Sequence, residues 1–268
     1  MGTSGWTYPY WRGDFYPKGL RQKDELAYNL GHFDTVELNG SFYSLQRPSS
    51  YRSWAEQAGR TRADAVFAVK GSRYVTHMKQ LRDPRAGLAN FFASGVLALG
   101  AHLGPFLWQL PERQVFDADL LEAFFDALPR TTAQASALAA EHDDKISGDR
   151  VLLDYDADRP LRHALEPRHE SFADDAAIDL LRAHDIAAVL ADTGGRFVRV
   201  DAVTSDFVYA RLHGPEGLYD SSYSPEQLDA WAERFRGHGD AGLDVYVYFD
   251  NDGHCRAPYD AAGLRDRV

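Results

Sequence analysis

The chain has 268 residues, 44% hydrophobic and 13% aromatic, enough to build a sizeable core as one large α/β domain or two small ones. A formal net charge of -11 argues against a general duplex-DNA or anionic-membrane binder, which needs a basic face. The single cysteine, Cys255, excludes an intrachain disulfide and a Cys-rich zinc motif and suits a reducing cytoplasm.

The opening segment, MGTSGWTYPYW, lacks a basic region followed by an apolar run, so it does not read as a signal peptide. No apolar stretch approaches the ~20 residues that span a bilayer. Short apolar runs then alternate with helix-like segments. GTSGW is the first strand and TVELNGSF the second, followed by a helix through SYRSWAEQAG. AVFAVKGS is a strand, PRAGLANFFASGVLALGAHLG a helix and PFLWQLP a strand. DADLLEAFFDALP and TTAQASALAAEHDD read as helices, LRHALEPRH as the fifth strand, SFADDAAIDLLRAH as a helix and IAAVLAD as the sixth strand. The segment Thr193 to Asp206 offers no helix. DFVYARLHG and DVYVYFDND are strands flanking the helix SPEQLDAWAERFRGHG.

Two helix starts are well marked. Ser224, Pro225 and Gln227 supply an N-cap, a first-turn proline and a capping-box acceptor. Ser171 is the expected cap of the helix carrying Ile178 and Leu181. Strands alternating with helices imply right-handed βαβ units and a parallel sheet. Eight units in this length fit a single (β/α)₈ barrel, irregular after strand six. The rival, a doubly wound sheet, normally shows a Gly-rich first turn, and GTSGW is not one. No linker or repeat divides the chain, so residues 1–268 are expected to form one domain.

Buried parallel strands should read as continuous apolar runs, and here the rule fails at the C-terminal ends. Strand two ends in Glu37 and Asn39, followed by Tyr43; strand three in Lys70 and strand four in Gln109. Strand five runs into Glu166, Arg168 and His169, and strand six into Asp192. Strand seven ends in Arg211 and His213, strand eight in Asp250, Asn251 and Asp252. In a barrel these ends meet on one rim, where barrel enzymes keep their active sites. Carboxylates beside a histidine permit general acid and base chemistry, with Glu37, Glu166, Asp192, His169 and His213 as catalytic candidates. Glu37 and Glu166 also invite comparison with a glycosidase pair. Lys70, Arg168 and Arg211 could clamp a carboxylate or phosphate, with Asn39, Tyr43, Gln109, Asn251, Trp6 and Tyr223 as further substrate contacts. Rim aromatics such as Trp6, Tyr8, Trp11, Tyr219 and Tyr223 could stack on a sugar or base, whereas Trp54 and Trp231 are expected in the helix–sheet core. No cofactor is expected. A divalent metal is the lesser alternative, because the donors lack H-x-H or H-E-x-x-H spacing and sit among cations. No G-x-S-x-G elbow or P-loop occurs, and Cys255 has no motif around it.

Eight separated motifs, GTSGWTYPYWRGDFYP, FDTVELNGSFY, FAVKGS, LGPFLWQLP, EPRHESF, VLAD, YARLHG and VYVYFDND, together resemble the YecE-like family (DUF72) over essentially the whole chain. The resemblance implies a TIM barrel and a polar pocket at positions 37, 39, 70, 109, 166, 168, 169, 192, 211, 213 and 251, but no reaction. The chain departs from the family pattern at Phe172, where Trp is usual, and at Asp250, where Asn is usual. The first reading is an enzyme, a hydrolase, lyase or isomerase, acting on a small polar, anionic or sugar-like substrate. The second is a metal-dependent barrel of sugar-isomerase or endonuclease type. The third is a non-catalytic binder of nucleotides or nucleic acid, which the charge disfavours. The expected setting is cytoplasmic, without a membrane.

Overall fold

The computed structural model describes residues 1–217, 219 and 221–268. Eight parallel strands close into a barrel in sequence order. They are β1 (Gly2–Ser4), β2 (Thr35–Leu38), β3 (Val66–Lys70), β4 (Leu103–Gln109), β5 (His163–Glu166), β6 (Ile186–Asp192), β7 (Phe207–Leu212) and β8 (Asp244–Phe249). The helices, in chain order, are α1 (Glu25–His32), α2 (Gly40–Tyr43), α3 (Pro48–Thr61), α4 (Pro84–Ala93), α5 (Ala118–Asp126), α6 (Thr132–Ala139), α7 (Asp175–Ala183), α8 (Pro225–Asp240) and α9 (Arg256–Arg265). Between β6 and β7 the chain makes no helix, as its sequence suggests.

The barrel interior is filled by Ala68, Leu107, Ala164, Ala187, Val189, Ala191, Phe207, Tyr209 and Tyr248. Small residues on β3, β5 and β6 leave room for the two tyrosine rings, whose centroids are 5.0 Å apart. Successive strand residues point to opposite faces, so residues two apart share one face. Continuing the interior set upward therefore delivers Lys70, Gln109, Glu166, Arg211 and Asp250 to the mouth. The other parity builds the shell between strands and helices, where Phe106, Trp108 and Leu165 join α4 and α5 residues such as Phe91, Phe92 and Phe124.

Two helix starts differ in outcome. Ser224 caps α8 with both arms of a capping box, and Leu228, Trp231, Ala232 and Phe235 are buried beneath it. Ser224→Ala should cost about 1 kcal/mol, read as a lowered urea midpoint with an unchanged m-value. Ser171 is not the cap of α7. Asp174 accepts from Ala176 N–H, whereas Ser171 Oγ accepts from Phe116 N–H and lies 2.9 Å from His169 Nδ1. A turn of 3₁₀ helix, Glu170–Ala173, precedes α7 and takes Ser171 out of the capping position. Likewise the long helix expected from Pro84 ends at Ala93. Gly95 and Gly100, both at positive φ, break its continuation into 3₁₀ turns.

Candidate functional site

The mouth of the barrel is organised around Arg211, which is fully buried. Its Nε and Nη2 donate to Glu37 at 3.1 and 2.8 Å, its Nη1 to Glu166 at 2.7 Å, and Nη2 also to Asp250 at 2.7 Å. Three carboxylates therefore converge on one guanidinium, whose planar fork can serve several acceptors at once. Glu37 takes two further bonds of 2.5 Å, from Ser4 Oγ and from the Tyr209 hydroxyl. Asn39 Nδ2 donates to the same Ser4 Oγ at 2.7 Å. Register explains the grouping: Ser4 stands beside Glu37 on the β1–β2 pair, and Gln109 beside Glu166 on β4–β5.

His213 is buried between two of these carboxylates. Its Nδ1 lies 3.1 Å from Asp250 but out of line for a hydrogen bond, and its Nε2 lies 3.6 Å from Glu166 and 3.4 Å from Arg211 Nη1. Burial and then Arg211 act to lower the His213 pKa, yet Asp250 and Glu166 outweigh them and hold it above its ordinary value. Burial acts to raise Glu166, but Arg211, His213 and Arg168 hold it well below the usual carboxylate range. Asp250 is lowered in the same way, by Arg211 and His213 against burial.

Two other cations are less enclosed. Arg168 reaches Glu166 only at 3.4 Å, stacks its guanidinium over Phe197 at 4.5 Å, and lines an open cleft of about 610 Å³ with His169, Arg196 and Glu112. Lys70 donates to Gln109 Oε1 at 2.6 Å and lies over the Phe42 ring at 4.5 Å. No carboxylate stands within salt-bridge distance of it among the described residues. Burial, and next the Arg211 charge, lower the Lys70 pKa to about 8. Burial also lowers His77 to about 4, with the Lys70 and Arg168 charges acting in the same direction.

The sequence-derived candidates thus divide. Glu37, Asn39, Lys70, Gln109, Glu166, Arg168, Arg211 and His213 belong to one connected mouth. Arg211, expected as a substrate clamp, is its closed hub. His169 turns its Nδ1 to the Ser171 backbone N–H and faces the neighbouring cleft. Asp192 lies on the opposite strand parity, outside the interior set, and accepts from the Tyr223 hydroxyl at 3.0 Å. Tyr223 is itself buried, its hydroxyl also taking Gly214 N–H. Asn251 has the outer parity too, and its amide donates to Ser221 O and to Asp260 on α9. Tyr43 is 69% exposed and touches Phe42 edge-on. Trp11 is fully buried against Tyr8, Phe15 and Tyr16, whereas Trp231 packs under α8 as expected. Trp54 is only partly buried. It meets Trp6 edge-to-face at 5.5 Å, and both line a cleft of about 290 Å³ that includes Asn39 and Gln46.

Ser4 and Tyr209 were absent from the sequence-derived set of site contacts, and Asp250, placed at the rim as a strand end, was given no role there. The two-residue strand period could have found Tyr209, because it shares the parity of Arg211. Cys255 is buried, and burial raises its thiol to about 11, which leaves it a poor nucleophile. Among the described residues no group of three or more His, Cys, Asp or Glu side chains is disposed to hold a metal ion. No helix there is long and apolar enough to cross a membrane.

The sequence profile described as "Protein of unknown function DUF72" matches residues 1–268. The crystal structure of a DUF72 family protein from Thermotoga maritima MSB8 superposes with a TM-score of 0.77 at 26% identity, covering 99% of this chain and 96% of that one. That of a DUF72 family protein from Enterococcus faecalis V583 gives 0.74 at 13% identity, covering 99% and 94%. No curated protein matches the chain. The chain belongs to the DUF72 family.

Proposed function

We propose that this DUF72 protein is an enzyme that moves protons on a small anionic substrate held at the barrel mouth. The supporting observation is the unequal exposure of the charges. Arg211, Glu37, Glu166 and His213 are completely enclosed, while Lys70 and Asp250 keep 8% and 9% of their surface exposed and the Arg168 side chain 15%. The enclosed set fixes geometry and charge; the less enclosed set meets substrate. Lys70 and Arg168 would hold the anionic group. Asp250, backed by the His213 imidazolium, would exchange a proton with the substrate. Glu37 and Glu166 are bonded to Arg211 and closed to solvent, which favours lyase or isomerase chemistry over an exposed glycosidase pair. The reading needs no metal, because the Arg211 guanidinium occupies the point between the carboxylates where a cation would sit. The formal charge of -11 weighs against a nucleic-acid partner. The single buried Cys255 and the lack of a long apolar helix among the described residues fit a cytoplasmic setting.

Thermal unfolding against a panel of small organic acids and sugar phosphates at pH 7 tests the binding half. At least one compound should raise Tm, and Arg168→Ala should abolish that rise. A panel without effect, or an effect indifferent to Arg168→Ala, would remove the reading. With a substrate in hand, His213→Gln should lower kcat about 10²- to 10⁴-fold. Since the His213 pKa is raised, wild-type turnover should fall as pH rises through that raised value.

A further inference from the structure

Lys18, Lys23, Lys70, Lys79 and Lys145 are the chain's five lysines; the rest of its 29 Lys and Arg residues are arginines. Four of these lysines are exposed, and the one that is buried stands at the end of β3 in the barrel mouth. A cation needed only to hold an anion could have been an arginine, as at Arg168 and Arg211. An arginine cannot lose its proton in a protein; a lysine can.

Three features suit Lys70 to the neutral amine. Among the described residues the one hydrogen-bond partner of its nitrogen is the Gln109 amide oxygen, a neutral acceptor that holds an ammonium far less strongly than a carboxylate would. A carboxylate there would lock the charge on. The surrounding burial removes water from the nitrogen, and against the attraction of the Phe42 ring for a cation it disfavours the ammonium. Arg211 places a second positive charge nearby, the arrangement that activates a lysine nucleophile. The other groups acting on it are Glu37 from β2, Glu166 from β5, Asp250 after β8 and His77 from the turn after β3, and none of the carboxylates is in contact with it.

We propose that Lys70 is a covalent catalyst whose amine condenses with the carbonyl carbon of a small aldehyde or ketone that carries an acidic group. This rests on the reading of the mouth as a catalytic pocket for anions and names its substrate class. The nitrogen lone pair forms the C–N bond while the carbonyl π pair moves to oxygen, which takes up a proton. The nitrogen then loses one proton. A second proton on that oxygen lets it leave as water, and the protonated imine remains. Overall one amine, one carbonyl and one proton give one iminium and one water, with no oxidant or reductant. The iminium draws electrons from the adjacent carbon, so a proton on that carbon, or a C–C bond to it, can be broken by the Asp250–His213 pair.

Reductive trapping tests this. The protein is incubated at pH 8 with pyruvate, glycolaldehyde phosphate or glyoxylate plus cyanoborohydride, digested, and mapped by mass spectrometry. A lysine of pKa about 8 has a free-amine fraction about 100-fold above that of an exposed lysine at this pH. Lys70 should therefore be alkylated by at least one probe about tenfold or more faster than the four exposed lysines. Lys70→Arg should leave only the slow background. Adducts confined to the exposed lysines, with Lys70 unmodified by all three probes, would overturn covalent catalysis. If the Arg168-dependent Tm rise survived that result, the anion pocket would stand and only the lysine chemistry would fall. The peptide map of the wild-type protein decides the matter even if Lys70→Arg does not fold.

Discussion

Arg211→Met is expected to destabilise the protein by about 3–5 kcal/mol at pH 7, because it strands three carboxylates in a closed site. Methionine matches the arginine stem in volume, so packing loss is small and the charge effect is isolated. In the wild type the guanidinium makes contacts of 2.7–3.1 Å with Glu37, Glu166 and Asp250. The sign of the pH dependence separates this from a generic core defect. In the wild type Glu166 lies well below its ordinary value, burial opposing and Arg211 prevailing. Its contribution is therefore fully present at neutral pH and lost only as pH falls through that lowered value. In the variant burial acts unopposed by Arg211 and the Glu166 and Asp250 carboxyls move upward. Stability then falls as pH rises toward neutrality. The gap between the two proteins should be widest near pH 7 and narrow toward pH 5. Urea denaturation at both values reads it, and a gap that is constant with pH would refute the account.

Gly71→Ala should cost about 3 kcal/mol or more, at the upper end for overpacking a rigid core. A Cβ at Gly71 would stand 2.2 Å from the Trp108 ring. That ring has no room to retreat. It is fully buried, it meets Phe91 at 5.7 Å and Phe124 at 5.4 Å, and its Nε1 donates to His163 Nδ1 at 3.1 Å. His163 is fixed in turn by Pro129 O at 2.7 Å, and burial keeps it neutral with a pKa lowered to about 3. Strain at position 71 would be passed to its neighbour Lys70, whose backbone is held by Ser41 Oγ at 2.6 Å. Thermal unfolding gives the stability loss, and anion titration of any folded fraction should show weakened binding. A variant with wild-type Tm would show that the indole can move aside.

The architecture was readable because each strand is short and bounded, and because the polar residues break the apolar runs at one end only. Glu37, Lys70, Gln109, Glu166 and Arg211 were recognisable as a rim from that pattern, since charge at the end of a doubly buried strand has no ordinary packing role. Two features are not legible locally. A competing turn beside α7 draws the Ser171 hydroxyl to Phe116 instead of to the helix start. Asp192 and Asn251 stand at strand ends like the rim residues but point to the opposite face, which only strand parity separates.

By itself the sequence determined the eight-unit barrel, the acidic surface, the lone cysteine and the gathering of charge at one rim, all of which follow from local pattern and chain length. Only the tertiary structure decided which charges meet. Strand ends from residue 4 to residue 250 meet around one mouth, and barrel closure selects which of them share a face. That closure made Arg211 a sealed hub instead of a clamp, and drew Ser4 and Tyr209 into the support of Glu37. It also left Lys70 buried beside an amide and another cation. Those distinctions depend on long-range pairing, which no segment read alone contains.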